Sequence, residues 1–115
     1  MENCILIVGL GSIGQRHLGL CRELFPSHKI IVLHHEQCKL KDCSADFCTD
    51  SLNEAANLKP QFAIICNPAV FHKSVSMKLA RNGTHLLVEK PICDNLNDAK
   101  QVFLMMNHQT RQVRF

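Results

Sequence analysis

The sequence predicts an α/β domain built on a doubly wound parallel sheet. Three observations predict it. Short apolar strands alternate with helical stretches along the chain. Each strand is apolar at successive positions rather than every second one, as expected of a sheet covered on both faces. A glycine-rich turn, Gly9-Leu10-Gly11-Ser12-Ile13-Gly14, joins the first strand to the first helix. Right-handed crossovers between such strands place helices on both sides of the sheet. A length of 115 residues suits a single domain with one core, over residues 1–115.

The elements follow in order. Cys4–Val8 is a β-branched apolar run ending in glycine, a buried strand. Ser12–Leu24 carries Ile13, Leu18, Cys21 and Leu24 as an apolar stripe, a helix that Pro26 stops. Lys29–Leu33 is a second strand. His35–Ala45 is polar and without period, an irregular connection, and Asp46–Cys48 reads as a minor strand. Asp50 or Ser51 caps a short helix through Asn57, with Glu54 supporting its start. Phe62–Cys66 is a strong strand closed by Asn67-Pro68, and Val70–Arg81 a helix ended by Asn82-Gly83. Leu86–Glu89 is the next strand. Asn95 or Asn97 caps a last helix through about residue 107. Gln109–Phe115 begins a further strand.

Composition excludes several classes. A net charge of +3 with scattered basic residues does not make a nucleic-acid surface, though it suits an anionic small molecule. Seven cysteines form no disulfide framework, no apolar run reaches membrane-spanning length, and residues 1–8 are not a signal peptide. A cytoplasmic protein with reduced thiols is the expectation.

The glycine turn carries the first chemistry. Gly9 permits the tight turn out of the strand, Gly11 lets a pyrophosphate approach the backbone, and Gly14 lets the helix pack on the sheet. The helix start then offers free N–H groups and a positive dipole end to phosphates. Gly9, Gly11, Ser12, Ile13 and Gly14 are therefore candidate residues for binding a dinucleotide. An acid that reads the adenosine ribose is expected about 20 residues beyond the last glycine. That count reaches His34 and His35, then Glu36. A histidine there tolerates a 2′-phosphate, helped by Lys39 or Lys41, while Glu36 suits ribose hydroxyls. NAD and NADP both remain open, as does a simple strand-end role for the two histidines.

In this architecture ligands bind outside the carboxyl ends of the strands. Asn67, Glu89 and Lys90 fall at such ends. Asn67 is held extended by Pro68 and can hydrogen-bond ribose or a carboxamide; a plain Asn-Pro turn is the alternative. Lys90 can donate to a substrate oxygen whose charge changes during hydride transfer, with Glu89 beside it to tune its proton; a solvated surface lysine is the alternative.

Gly9–Gly14, Ile65-Cys66-Asn67-Pro68 followed by Phe71-His72, and Glu89-Lys90-Pro91 occur in an order and spacing that resemble the N-terminal domain of the glucose–fructose oxidoreductase / inositol dehydrogenase / MocA (Gfo/Idh/MocA) family. The resemblance covers essentially the whole chain, and its specific part is Glu-Lys-Pro. It implies a Rossmann domain that binds NAD or NADP beside a separate C-terminal α/β substrate domain. It also implies oxidation or reduction of hydroxyl and carbonyl groups of sugars or inositols. Lys90 would then be catalytic, touching nicotinamide and the substrate hydroxyl. Pro91 would shape the turn through a cis peptide bond, and His72 would be structural. Two departures stand out: His34-His35 replaces the usual acid or arginine, and the C-terminal domain with its acid/base partner for the lysine is missing. The ending therefore reads as a truncation near the domain boundary, which makes this chain alone inactive.

A non-catalytic nucleotide-binding module is the second reading. A zinc protein using His34, His35, Cys38, Cys43 and Cys48 is the third. The cysteine spacing lacks paired Cys-x-x-Cys knuckles, so small core or loop thiols are preferred and no metal ligand is assigned. Apolar surface left without a partner domain predicts self-association.

Overall fold

Uninterrupted apolar runs become the strands, and a computed structural model shows how they assemble; it describes residues 3–34, 44–91, 93–109 and 113–114. The order is β1 (Cys4–Val8), α1 (Ser12–Leu24), β2 (Lys29–Leu33), β3 (Phe47–Thr49) and α2 (Leu52–Asn57), then β4 (Phe62–Ile65) and a 3₁₀ turn (Ala69–Phe71). There follow α3 (His72–Arg81), β5 (His85–Val88), α4 (Leu96–Gln109) and β6 (Val113–Arg114). The six strands lie in the order β3-β2-β1-β4-β5-β6, and every pairing is parallel. The chain thus winds outward from β1 to β3, then crosses back and winds the other way from β4. The strand order reverses between β1 and β4, where such sheets open a crevice at their carboxyl ends.

Burial on both faces explains the absence of alternation in the strands. Ile5, Ile7, Ile30, Val32 and Ile64 point to one side and meet Leu10, Leu18 and Cys21 around α1. Leu6, Val8, Ile31, Leu33, Ile65 and Val88 point to the other, against Ala55 and Ala56 of α2, Val75 and Leu79 of α3, and Val102 of α4. Side-chain caps start two helices where the sequence places them. The Ser51 hydroxyl accepts from the Glu54 N–H at 3.1 Å. Asn95 Oδ1 accepts from the Asp98 N–H at 2.8 Å.

The boundaries of β1, α1 and β2 are those read from the sequence. Elsewhere the structure departs by a residue or two. β4 ends at Ile65 rather than Cys66, although the Cys66 N–H still donates to the Val8 carbonyl at 2.9 Å. β5 runs one residue earlier than expected, and the Glu89 N–H still donates to the Ile65 carbonyl at 2.9 Å. The expected helix from Val70 begins as a 3₁₀ turn, in which the Phe71 N–H donates to the Pro68 carbonyl, and becomes α-helical only at His72. Pro68 holds an extended ψ of 143°, so the chain must tighten before the wider helix can start. The minor strand shifts by one, to Phe47–Thr49. The irregular connection read over 35–45 lies outside the described residues up to 43. No helix among the described residues is long and apolar enough to cross a membrane.

Candidate functional site

The glycine turn sits at the reversal point of the sheet. Gly9 takes a φ of +96°, the left-handed region that favours glycine. A Cβ there would also lie 3.0 Å from the Asn67 backbone nitrogen. Gly14 is constrained by space: a Cβ would run into the Gly9 carbonyl, 2.8 Å from its carbon. The first turn of α1 is thereby pressed onto the end of β1. Gly11 differs from both. Its backbone is extended, with φ −67° and ψ −172°, and a Cβ there would meet no atom within 4 Å. The space beside Gly11 is open to a ligand.

Among the described residues, nothing stands within 4 Å of a Cβ built on Gly11 at the start of α1. Gly11 is its N-cap and supplies no side-chain cap, and the first turn carries no acid. The first N–H groups of a helix have no partner within it, and the positive end of the helix dipole lies there. Gln15 steadies the turn by donating to the Leu10 carbonyl at 3.1 Å.

A cleft of about 260 Å³ opens beside this loop, lined by Gly9, His34, Asn67, Phe71 and Ser74 among others. His34 is buried at the end of β2, and its N–H donates to the Thr49 carbonyl at 3.0 Å. The position expected to read a ribose therefore lies on the cleft wall. His35, Glu36, Lys39 and Lys41 lie outside the described residues.

Asn67 lies on the opposite wall. His72, buried in the first turn of α3, donates from Nε2 to the Asn67 carbonyl at 2.6 Å. That bond, with Pro68 next in the chain, fixes the Asn67 backbone. The Asn67 side chain is different: Oδ1 is buried and, among the described residues, accepts no hydrogen bond. A buried acceptor left unmatched costs about 1–3 kcal/mol. A ligand donor in the cleft would relieve it.

Glu89 and Lys90 follow β5 on the far side of β4. Lys90 is exposed and joined to Pro91 by a cis peptide bond. The Glu89 carboxylate accepts from Nε2 of His17, on the second turn of α1, at 2.7 Å. Sequence reading missed His17, because its partner is far away in the chain. Cys66 follows β4, and its Sγ would stand 3.6 Å from a Cβ on Gly14. Burial first, then the Glu89 charge and Cys21, pushes the Cys66 thiol up to about 12, so it stays protonated at neutral pH and packs beneath the loop. Of the histidines and cysteines weighed for zinc, His35, Cys38 and Cys43 lie outside the described residues. Among the described residues no cluster of three or more His, Cys, Asp or Glu could hold a metal.

The reversal-point cleft, the uncapped helix start and the close-packed glycines define a dinucleotide-binding domain of the Rossmann class. The chain belongs to the Gfo/Idh/MocA oxidoreductase family with an NAD-binding Rossmann fold, whose model it matches over residues 4–115. Solved structures agree in fold. An NAD-binding oxidoreductase from Klebsiella pneumoniae superposes with a TM-score of 0.84 at 18% identity, covering 96% of this chain and 33% of its own. An apo scyllo-inositol dehydrogenase from Lactobacillus casei gives 0.83 at 18%, covering 96% and 35%. The WlbA dehydrogenase from Chromobacterium violaceum, solved with NADH and UDP-GlcNAcA, gives 0.84 at 17%, covering 96% and 33%. The chain thus spans about a third of each of these structures. No curated protein matches its sequence.

Proposed function

We propose that this domain holds the nicotinamide cofactor of an oxidoreductase acting on a hydroxyl or carbonyl group of a sugar- or inositol-like substrate. The observation that carries the proposal is the cleft at the strand reversal, lined by Gly9, His34 and Asn67, next to a helix whose N-cap, Gly11, supplies no side-chain bond. The residues present fit the cofactor. The open space at Gly11 suits a pyrophosphate, the N–H groups of α1 would donate to it, and the place of His34 on the cleft wall at the end of β2 supports its reading of the adenosine ribose. Asn67 Oδ1 accepts a donor from the nicotinamide half, either a ribose hydroxyl or the carboxamide N–H.

When bound, a nicotinamide dinucleotide accepts or supplies the hydride. Lys90, exposed just past β5, donates a hydrogen bond to the substrate oxygen and steadies its charge as that hydride moves. The substrate-binding surface and the acid/base partner of Lys90 are assigned to a second domain, as in the two-domain members of the family. The sugar and inositol classes are supported by the ligand of the Chromobacterium violaceum neighbour and the name of the Lactobacillus casei one.

Titration of the purified chain with NADH and with NADPH, followed by cofactor fluorescence, tests this. Saturable binding is expected, and the tighter of the two reads the preference set around His34. Absence of binding to both would remove the proposal and leave a fold without its cofactor role.

A further inference from the structure

We infer that His17 is a positioning residue that sets the nicotinamide end of the cleft by holding Glu89, and through it the Glu89-Lys90-Pro91 turn, against α1. The inference rests on the cofactor reading above and extends it to a residue that the glycine motif does not contain.

The geometry is specific. α1 begins at the glycine loop, so its axis and depth are fixed by the packing of Gly14 on Gly9. His17 is one turn further along, and its imidazole reaches over the end of β4 to Glu89 at the end of β5. The pair spans 72 residues of sequence and closes to 2.7 Å. The His17 side chain is only 21% exposed and that of Glu89 38%, so the bond is partly shielded from water. A carboxylate only accepts, so Nε2 carries the proton and donates it to Oε1. A charge-assisted bond of this length is among the stronger ones a side chain makes.

Its position explains what it can do. The adenosine half of the cleft is built by β1 and β2, with His34 on its wall. The turn that carries Lys90 follows β5, on the far side of β4, and is assigned to the nicotinamide half. The backbone ladder secures that turn up to the Glu89 N–H, bonded to Ile65. Among the described residues, the His17 bond then ties it to the helix that starts at the glycine loop. One helix therefore registers two parts of a dinucleotide site. Its N-terminus faces the pyrophosphate position, and its second turn fixes the segment that presents Lys90.

The test separates positioning from simple support of α1. His17→Ala, His17→Gln and unmutated chain are titrated with NADH, or NADPH if that binds more tightly. Each is also titrated with the matching ADP-ribose fragment, which lacks nicotinamide. His17→Ala is expected to weaken the dinucleotide about tenfold and the fragment less than about twofold. His17→Gln, whose amide can still donate to Glu89, should recover most of the difference. Equal weakening of both ligands would mean that His17 only supports the helix, and no weakening of either would mean that the bond does not reach the site; both overturn the inference while leaving the cofactor reading intact. An unmutated chain that binds neither the dinucleotide nor its fragment would overturn the cofactor reading itself, and this inference with it.

Discussion

Gly11 and Gly14 lie three residues apart and answer to different constraints. A Cβ at Gly14 collides with the Gly9 carbonyl, so Gly14→Ala must push α1 off the strand end. Overpacking of that kind costs about 1–3 kcal/mol, which urea unfolding will read as a lower midpoint. A Cβ at Gly11 meets nothing within 4 Å, and its backbone is one any residue adopts. Gly11→Ala should therefore unfold within about 1 kcal/mol of the parent while losing dinucleotide affinity, because its methyl enters the space assigned to pyrophosphate. Equal affinity for the parent and Gly11→Ala would argue against that assignment. Asn67 is the third residue whose role depends on surroundings. Its carbonyl is held by His72 and its side-chain oxygen is left unmatched, a division of labour within one residue.

Among the elements, α1 does more than cover a face of the sheet. It starts from the glycine loop that lines the cleft through Gly9, its second turn holds Glu89, and its end is tied to the segment before β3. There Arg22 donates to the Ser44 carbonyl, at 2.7 Å from Nη2, and pairs with Asp46 at 3.0 Å. Asp46 also accepts from the Ile30 N–H at 2.9 Å. That backbone bond first, and the Arg22 charge after it, holds the Asp46 carboxyl below the usual carboxylate range. A group whose folded value is depressed adds stability above its unfolded value, and that stability is lost as pH falls through the folded one. Asp46→Asn keeps an acceptor but not the charge. It should be less stable than the parent near pH 6 and converge with it as the pH drops below about 4. The side chain is 37% exposed, so solvent screening keeps the difference under about 1 kcal/mol. A difference that grows on acidification would contradict this account. On the other face, Lys73 of α3 pairs with Asp98 of α4 at 3.3 Å, which links the helices that follow β4 and β5.

For the whole molecule, the two faces of the sheet are unequally covered among the described residues. α2, α3 and α4 pack on one. α1 packs on the other and leaves a groove of about 630 Å³ beside β4 and β5, lined by Leu20, Leu24, Phe25, Phe62, Ile64 and Leu87 among others. Leu24 is 66% exposed and Phe25 43%, so this apolar surface meets water directly. Grooves of this kind favour association, and sedimentation of the chain should show mass rising with concentration. Leu24→Lys should reduce that rise. A concentration-independent monomer would show that the groove is too small to drive assembly.

Much of this was legible in residue order because it is local. Apolar runs without alternation gave the strands and required a sheet buried on both sides. The spacing of Gly9, Gly11 and Gly14 marked the strand-to-helix turn, and Asn67 and Lys90 were placed at strand ends by the runs that precede them. Ser51 and Asn95 were each one of two cap candidates in the sequence, with Asp50 and Asn97 the others, because a cap acts within three residues and its neighbourhood is local. The start of α3 was misread by two residues, since periodicity does not distinguish a 3₁₀ turn from the α-helix it introduces. The partnerships required the tertiary structure. His17 meets Glu89 because β4 returns to lie beside β1 and β5 beside β4, and Arg22 meets Asp46 because β3 lies beside β2. Sequence by itself determined the elements and the glycine turn, whose causes act along a few neighbouring residues. The tertiary structure alone decided which side chains face one another across the sheet, because that depends on strand order, and strand order is set by how distant segments pack.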